Sequence, residues 1–258
     1  MTDTENQPVR TEVHESTLVV TIDRPKARNA VNTAVAEGIA EAVRRLDEDP
    51  QLRVGVLTGA ERMFSAGMDL KAAANGESAS IAGKGFAGLT EAEPDKPLIA
   101  AVEGFAMGGG FELALACDIV VAGSSTKFAL PEVQRGLIAG GGGAVRLPNR
   151  IPYHLAMELI LTGETITAER AAELGVVNRT AEDGAAEATA LQLAAGISRN
   201  APLAVKSAKR VSRTAARDSE QQAFTAQRDE LRTLLASEDF AEGARAFAER
   251  RSPNWSAR

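Results

Sequence analysis

Three consecutive glycines, Gly108, Gly109 and Gly110, constrain this chain more than any other feature. They stand inside residues 103–118, EGFAMGGGFELALACD, after an apolar run at 98–102 and before the apolar turn of Leu113, Ala114, Leu115, Ala116 and Cys117. The first run reads as a buried strand and the second as a buried helical turn. Three glycines in a row form helix poorly, so they make the turn between the two. A strand-to-helix turn without side chains leaves N–H groups bare at a helix N-terminus, and such a terminus attracts negative charge. Glu112 stands one turn into that helix and points back to the same spot. A carboxylate beside bare N–H donors is what acid–base chemistry on a carbonyl compound needs. The plainer alternative is a tight turn under a core helix, with Glu112 as a first-turn carboxylate. This stretch by itself favours the plainer alternative.

Composition bounds what can surround that turn. A chain of 258 residues is one large domain or a domain with an appendage, and a hydrophobic fraction of 44% is ample for a core. The net charge of −6, from 29 basic and 35 acidic residues without a basic block, argues against nucleic acid as a partner. Cys117 has no second cysteine to pair with, and its apolar run places it in the core. His14 and His154 lie far apart and offer no metal-ligand spacing, so no metal is expected. The start, MTDTENQPVR, is polar, and no apolar run is long enough to span a membrane. A soluble, reducing, cytoplasmic setting is expected.

In chain order, residues 18–22 form a β-rich run that Asp23, Arg24 and Pro25 end. A helix runs to about Asp47, with Asn32 or Thr33 as its cap, and Asp49 and Pro50 stop it. Residues 53–58 give a second strand. Residues 63–70, MFSAGMDL, again place a small-residue turn between a strand and a helical start. Ser65 lacks a His base at any recognised spacing, which argues against a nucleophile there. Residues 72–95 are rich in Ala, Gly and Ser, without a clear period, and are expected to form a mobile loop. Strands are expected at 119–122 and 127–130, followed by Pro131 and Glu132. Gly140 to Gly143 form a flexible run that is not a phosphate loop, because the Gly-Lys-Ser/Thr ending is absent. A helix is expected at 152–161, Thr167 caps a short one closed by Gly175, and Val176 and Val177 are candidates to join a sheet. From Asp183 the chain turns helical, at roughly 185–198, 203–216, 220–236 and 239–250. The break at 198–202 divides the chain into a core, 1–198, and an appended helical region, 199–258. The strand–turn–helix unit recurs at 18–47, 53–72 and 98–117.

With these pieces in place, the chain resembles the crotonase (enoyl-CoA hydratase/isomerase) superfamily. The resemblance covers nearly the whole chain. It rests on RPKARNA at 24–30, FSAGMDL at 64–70, residues 104–118, and Pro131–Glu132 through Arg146, Leu147 and Pro148, in that order and spacing. It implies an α/β fold: a spiral of ββα units, with two sheets, followed by a C-terminal helical trimerisation region. It also implies a homo-oligomer, a trimer or a dimer of trimers.

The resemblance further implies an oxyanion hole for a thioester carbonyl, made by the N–H groups of Met68 and Gly109. Met68 is larger than the common Ala, but only its N–H is used. The family's hydratases use two glutamates, which map to Glu112, three residues after Gly109, and Glu132, 20 positions later (132 − 112). Both are present here, and many members with other chemistry lack one. A further N–H that helps hold water maps to Gly140. Where the family often has Pro-Gly-Ala-Gly-Gly, this chain has Ala139-Gly140-Gly141-Gly142-Gly143, and Val145 stands where Gln is common. Coenzyme A enters as part of the substrate, and no separate cofactor is implied. Its adenine and pantetheine arm are expected along Lys26, Ala27, Arg28 and Ala30, and along Ala66, Gly67, Asp69 and Leu70, with Gly108 and Pro131 nearby. Arg28 is either a phosphate contact or a solvated surface residue.

The implied reaction is hydration of a 2-enoyl-CoA to a 3-hydroxyacyl-CoA, of the fatty-acid β-oxidation type. In it an ionised Glu112 takes a proton from water and a protonated Glu132 gives one to carbon 2, with their pKa values pushed apart. The alternatives are enoyl-CoA isomerisation or thioester hydrolysis on the same fold, and a non-catalytic CoA-binding homologue. The acyl group, whether fatty, branched, aromatic or steroid, has no readable code.

Overall fold

The computed structural model describes residues 7–218 and 220–258. The polar opening at 1–6, on which the expected setting partly rests, lies outside the described residues. In chain order the elements are β1 (Val9–His14), β2 (Thr17–Ile22), α1 (Thr33–Glu48), β3 (Val54–Gly59), α2 (Leu70–Ala74), β4 (Ser80–Ile81) and β5 (Gly85–Phe86). Then come β6 (Leu98–Val102), β7 (Phe105–Met107), α3 (Gly109–Ala116), β8 (Ile119–Gly123), β9 (Lys127–Ala129), α4 (Gly143–Arg146), α5 (Tyr153–Thr162), β10 (Ile166–Thr167), α6 (Ala168–Glu173) and β11 (Arg179–Ala181). The chain closes with α7 (Ala186–Ser198), α8 (Pro202–Arg217), α9 (Glu220–Leu235) and α10 (Glu238–Glu249).

The main sheet has the order β1-β2-β3-β6-β8-β11, parallel throughout except for β1 at the edge. Its central strands are buried on both faces, so they read in the sequence as continuous apolar runs rather than as alternation. One face is packed by α1, whose Val35, Ile39, Val43 and Leu46 fall at helical spacing. Full burial of a side chain such as Ile39 stabilises the fold by roughly 1.5–3 kcal/mol. The other face is covered by α7 through Ala186, Ala190 and Ala194, small residues that let the helix sit close to Val54, Val56, Ile99 and Val121. The helix at 186–198 therefore completes the core, and the chain breaks after it.

A second, smaller layer sets the functional geometry. β7 pairs in parallel with β9, and β9 pairs with β10. Isolated parallel bridges join Ser65 to Ala106 and Val31 to Met68, continuing the layer across three successive repeats. Strand, second strand and helix thus repeat along the chain.

Several expectations change. β1 and the short strands β4, β5, β7 and β10 were not among the expected elements. Val176 and Val177 are core residues in a turn, and the strand they were expected to supply is β11, two residues on. The segment 72–95 is only partly unanchored: residues 75–78 are exposed, whereas Phe86, Leu89 and Thr90 are buried. Two bulky side chains sink this wall into the core despite its Ala and Gly content.

Candidate active site

The two small-residue turns meet because their strands pair. Ser65 bridges Ala106, with Ser65 N donating to Phe105 O at 3.2 Å and Met107 N to Ser65 O at 3.0 Å. Met68 and Gly109 each lie three residues beyond that bridge (65 + 3 and 106 + 3), so the two turns emerge side by side. A Cβ on Gly67 would lie 2.8 Å from the Gly109 nitrogen. In the bridge to Val31, Val31 N donates to Gly67 O and Asp69 N to Val31 O, which turns the Met68 N–H to the opposite side. Among the described residues, neither Met68 N–H nor Gly109 N–H has an acceptor. Gly109 begins α3, so its N–H also lies at the positive end of the helix. Gly108 before it has φ +54° and ψ −123°, a conformation glycine tolerates and side-chain residues avoid.

The first turn is held by residues that sequence reasoning did not select. Asn29, fully buried and with positive φ, donates through its amide to Ala60 O at 3.0 Å and Met63 O at 2.6 Å. The Ser65 hydroxyl donates to Asn29 O at 2.8 Å and accepts from Gly67 N at 3.1 Å. Ser65 is thus a scaffold group and not a nucleophile. An asparagine able to adopt left-handed backbone is the one sequence signal that could have marked the first of these.

Glu112 and Glu132 face one cavity of about 600 Å³. Glu112 is 3% exposed, and its Oε1 accepts from Gly143 N at 2.8 Å. Burial pushes its pKa up to about 7, opposed by the Gly143 and Gly141 N–H groups and by Arg146 and reinforced by the Glu132 carboxyl. Glu132 lies on a 3-10 turn, Pro131–Arg135. Its Oε2 is buried with no hydrogen-bond partner among the described residues, and burial raises its pKa too. Burial therefore raises both carboxyls in the free site. Their surroundings differ: loop N–H groups bond Glu112, whereas Glu132 Oε2 has no partner among the described residues.

Of the expected binding residues, Ala66, Met68, Leu70, Gly108, Gly109, Pro131 and Gly140 line this cavity. Lys26, Ala27, Arg28, Ala30, Gly67 and Asp69 do not. The 3-10 turn at 25–27 and the left-handed residues Arg28 and Asn29 nevertheless run beside the first turn, with Ala66 N donating to Arg28 O at 3.0 Å. Asp69 caps α2 and pairs with Arg24 at 3.1 Å, and the Ala72 N–H, with the Arg24 guanidinium, holds its carboxyl below the usual range. Its side chain is already engaged. Gly140 is exposed at the cavity, and the loop N–H that binds a carboxylate is that of Gly143. The far wall is the β4–β5 hairpin with Ser80, Ile81, Phe86 and Glu91. Among the described residues, no helix is long and apolar enough to cross a membrane.

A protein-family model described as enoyl-CoA hydratase/isomerase matches residues 12–258. A carnitinyl-CoA dehydratase of Proteus mirabilis is 43% identical over 251 residues, spanning 94% of this chain and 96% of that protein. The crystal structure of an enoyl-CoA hydratase from Mycobacterium tuberculosis superposes with a TM-score of 0.96 at 51% identity, over 98% of this chain and 100% of that one. A structure described as carnitinyl-CoA hydratase from Mycobacterium avium gives a TM-score of 0.80 at 45% identity, over 98% and 100%. Two joined turns whose N–H groups have no acceptor among the described residues, two carboxyls on one cavity, and a match that runs over residues 12–258 lead to one conclusion: the chain is a crotonase-fold enzyme and belongs to the enoyl-CoA hydratase/isomerase family.

Proposed function

We propose that the protein adds water across the 2,3 double bond of a 2-enoyl-CoA thioester, and eliminates it in the reverse direction. The carrying observation is that Glu112, Glu132, Met68 and Gly109 all line one cavity, and that the Met68 and Gly109 N–H groups have no acceptor among the described residues. The thioester oxygen accepts from those two N–H groups. Carbon 3 becomes electrophilic as the carbonyl is polarised, and the enolate charge that follows attack is held in place. Removing one such donor costs about 3–4 kcal/mol of barrier. Water lies between the carboxyls, with Gly140 N–H nearby to orient it. Ionised Glu112, steadied by Gly143 N–H, takes the water proton as oxygen bonds to carbon 3. Protonated Glu132 then gives a proton to carbon 2, and the pair ends with its proton moved from one carboxyl to the other. Coenzyme A takes part only as the thioester's carrier, lying along residues 26–30 and 66–70. Isomerisation or thioester hydrolysis on this fold does not call for two carboxyls at one water, so the paired site supports hydration over both.

The acyl group is the finer question. Relatives named for carnitinyl-CoA direct it away from a fatty chain and toward a short one that ends in a quaternary ammonium. Glu91 supports that reading: it lines the cavity and has no ion partner among the described residues. Phe86 offers the aromatic face that such a cation also favours. The test is loss of enoyl-thioester absorbance with three substrates: a crotonyl thioester bearing a terminal trimethylammonium, its tert-butyl carbon isostere, and a straight octenoyl thioester. Turnover of the first, with the isostere much slower and the gap narrowed by Glu91→Gln, is expected. No hydration of any of the three overturns the reading.

A further inference from the structure

Arg146 does not line the cavity, yet its guanidinium ties together the two walls that frame Glu112. It projects from α4. Its Nη2 donates to Thr90 O at the foot of the β4–β5 hairpin, and its Nη1 reaches Gly141 O at 3.4 Å. Its own backbone N–H bonds Gly142 O at 2.8 Å, so side chain and main chain grip the same glycine loop. A Cβ on Gly142 would sit 2.0 Å from Nη1, so the guanidinium occupies space that only a bare residue leaves open. That loop in turn grips the carboxylate. Gly143 N donates to Glu112 Oε1, and a Cβ on Gly141 would meet Oε2 at 2.6 Å.

The charged groups that face Glu112 are few. Glu132 faces it from the 3-10 turn and Arg146 from α4. β6 and β7, the strands packed on α3, contain only apolar residues, and β5 brings Phe86. Positive charge toward this buried carboxyl comes from Arg146.

We propose that Arg146 is a positioning residue for Glu112: it straps the glycine loop to the hairpin, so that the loop N–H groups and its own charge keep the carboxylate ionised and aimed at the water. This rests on the reading of Glu112 as the general base. A purely structural clamp would also join hairpin and loop, but it would not need a cation. Loss of the guanidinium removes its charge and frees the loop whose N–H groups also oppose burial and Glu132, so the base holds its proton to higher pH.

Arg146→Gln and Arg146→Lys separate the two. The Gln variant should lower kcat at neutral pH by about tenfold or more, with KM little changed, and regain much of it as pH rises, because the acid limb of kcat/KM moves upward. The Lys variant keeps the charge and should hold that limb close to its original position. Infrared titration of the carboxyl band, assigned by Glu112→Gln in each background, should show the same displacement and requires no turnover. It therefore reads even if no enoyl thioester proves to be a substrate: that result sinks the hydratase reading, and the titration separately decides whether Arg146 holds the Glu112 carboxyl. Equal losses in both variants, with the acid limb and the carboxyl titration unmoved, would overturn the proposal. If the Gln chain does not fold, the infrared titration of the Lys variant still decides: a displaced Glu112 fails the charge argument.

Discussion

Glu112 carries a cost in the resting protein that its proposed role as general base requires. Its pKa lies at about 7 in the folded chain, raised mainly by burial from an ordinary value of 4.5. Between those two pH values the folded state holds a proton that the unfolded chain has released. Stability therefore falls as pH rises through this window, and the full penalty is present above it. The upper bound is about 3 kcal/mol. Glu112→Gln, which cannot ionise, should be more stable than the parent at about pH 8, and the advantage should vanish by about pH 4. Urea unfolding at both pH values checks this, and an equal difference at the two would refute it. The same substitution, and Glu132→Gln, should each lower hydratase turnover by about a hundredfold or more while thioester binding changes little. Near-normal turnover in either purified variant contradicts the two-carboxyl mechanism. A variant both more stable and much less active is the expected signature of a group held in place for chemistry.

At the scale of elements, the hairpin wall divides into parts with different anchorage. Phe86 and Leu89 are buried, Ala87 N donates to Ala79 O at 2.7 Å, and Arg146 holds Thr90 O. Residues 75–78 and 82–83 have no such burial. Ordering backbone costs roughly 1–2 kcal/mol per residue, and only the first part has packing to offset it. Amide exchange should thus be slow at 86–90 with or without an acyl-CoA, and fast at 75–78 and 82–83 until one binds; uniform slow exchange across both in the free protein would rule out a closing segment. This division was not legible in the sequence, because Phe86 and Leu89 stand among Ala, Gly and Ser without a period. The central strands were legible for the opposite reason: burial on both faces makes each an apolar run. β1 was not, since only its first residue is buried. Within the site, residue type marked the two small-residue turns and Glu112, while Glu132 and the pairing of the two carboxyls came from the family resemblance. The role of Arg146 followed from neither, because its contact with Thr90 spans 56 residues and exists only once hairpin and loop meet. Gly143 N–H grips the Glu112 carboxylate, a contact that four consecutive glycines leave open until the loop is folded.

At the scale of the molecule, α8 is fastened to the spiral and α9 and α10 are not covered by it. Lys209 on α8 pairs with Asp118 at 2.6 Å and bonds Lys96 O at 2.8 Å, and Arg213 bonds Pro94 O at 2.9 Å. Beyond α8, Phe224, Leu231 and Leu235 on α9 and Phe240 and Phe247 on α10 remain large and exposed, Phe247 at 88%. A tail that merely folded back onto its own spiral would bury these residues, and here it leaves them in solvent. α10 is tied to the tail that follows it, where Arg251 pairs with Glu242 at 2.6 Å and Asp239 Oδ1 accepts from Ser256 N at 2.7 Å, and Trp255 Nε1 in that tail donates to Arg199 O at 2.8 Å. Firmly placed helices that show so many bulky apolar side chains mark an interaction face. A second copy is the expected occupant, since closed homo-oligomers are the commonest way soluble chains cover such a face. Light scattering at micromolar concentration should return three or six times the single-chain mass. Glu at both Leu235 and Phe247 should shift it toward the single chain, because a charge buried at a subunit contact is costly unless paired. A single-chain mass for the unaltered protein would refute the oligomer, and a double variant that keeps the full assembly would place the interface elsewhere than on α9 and α10.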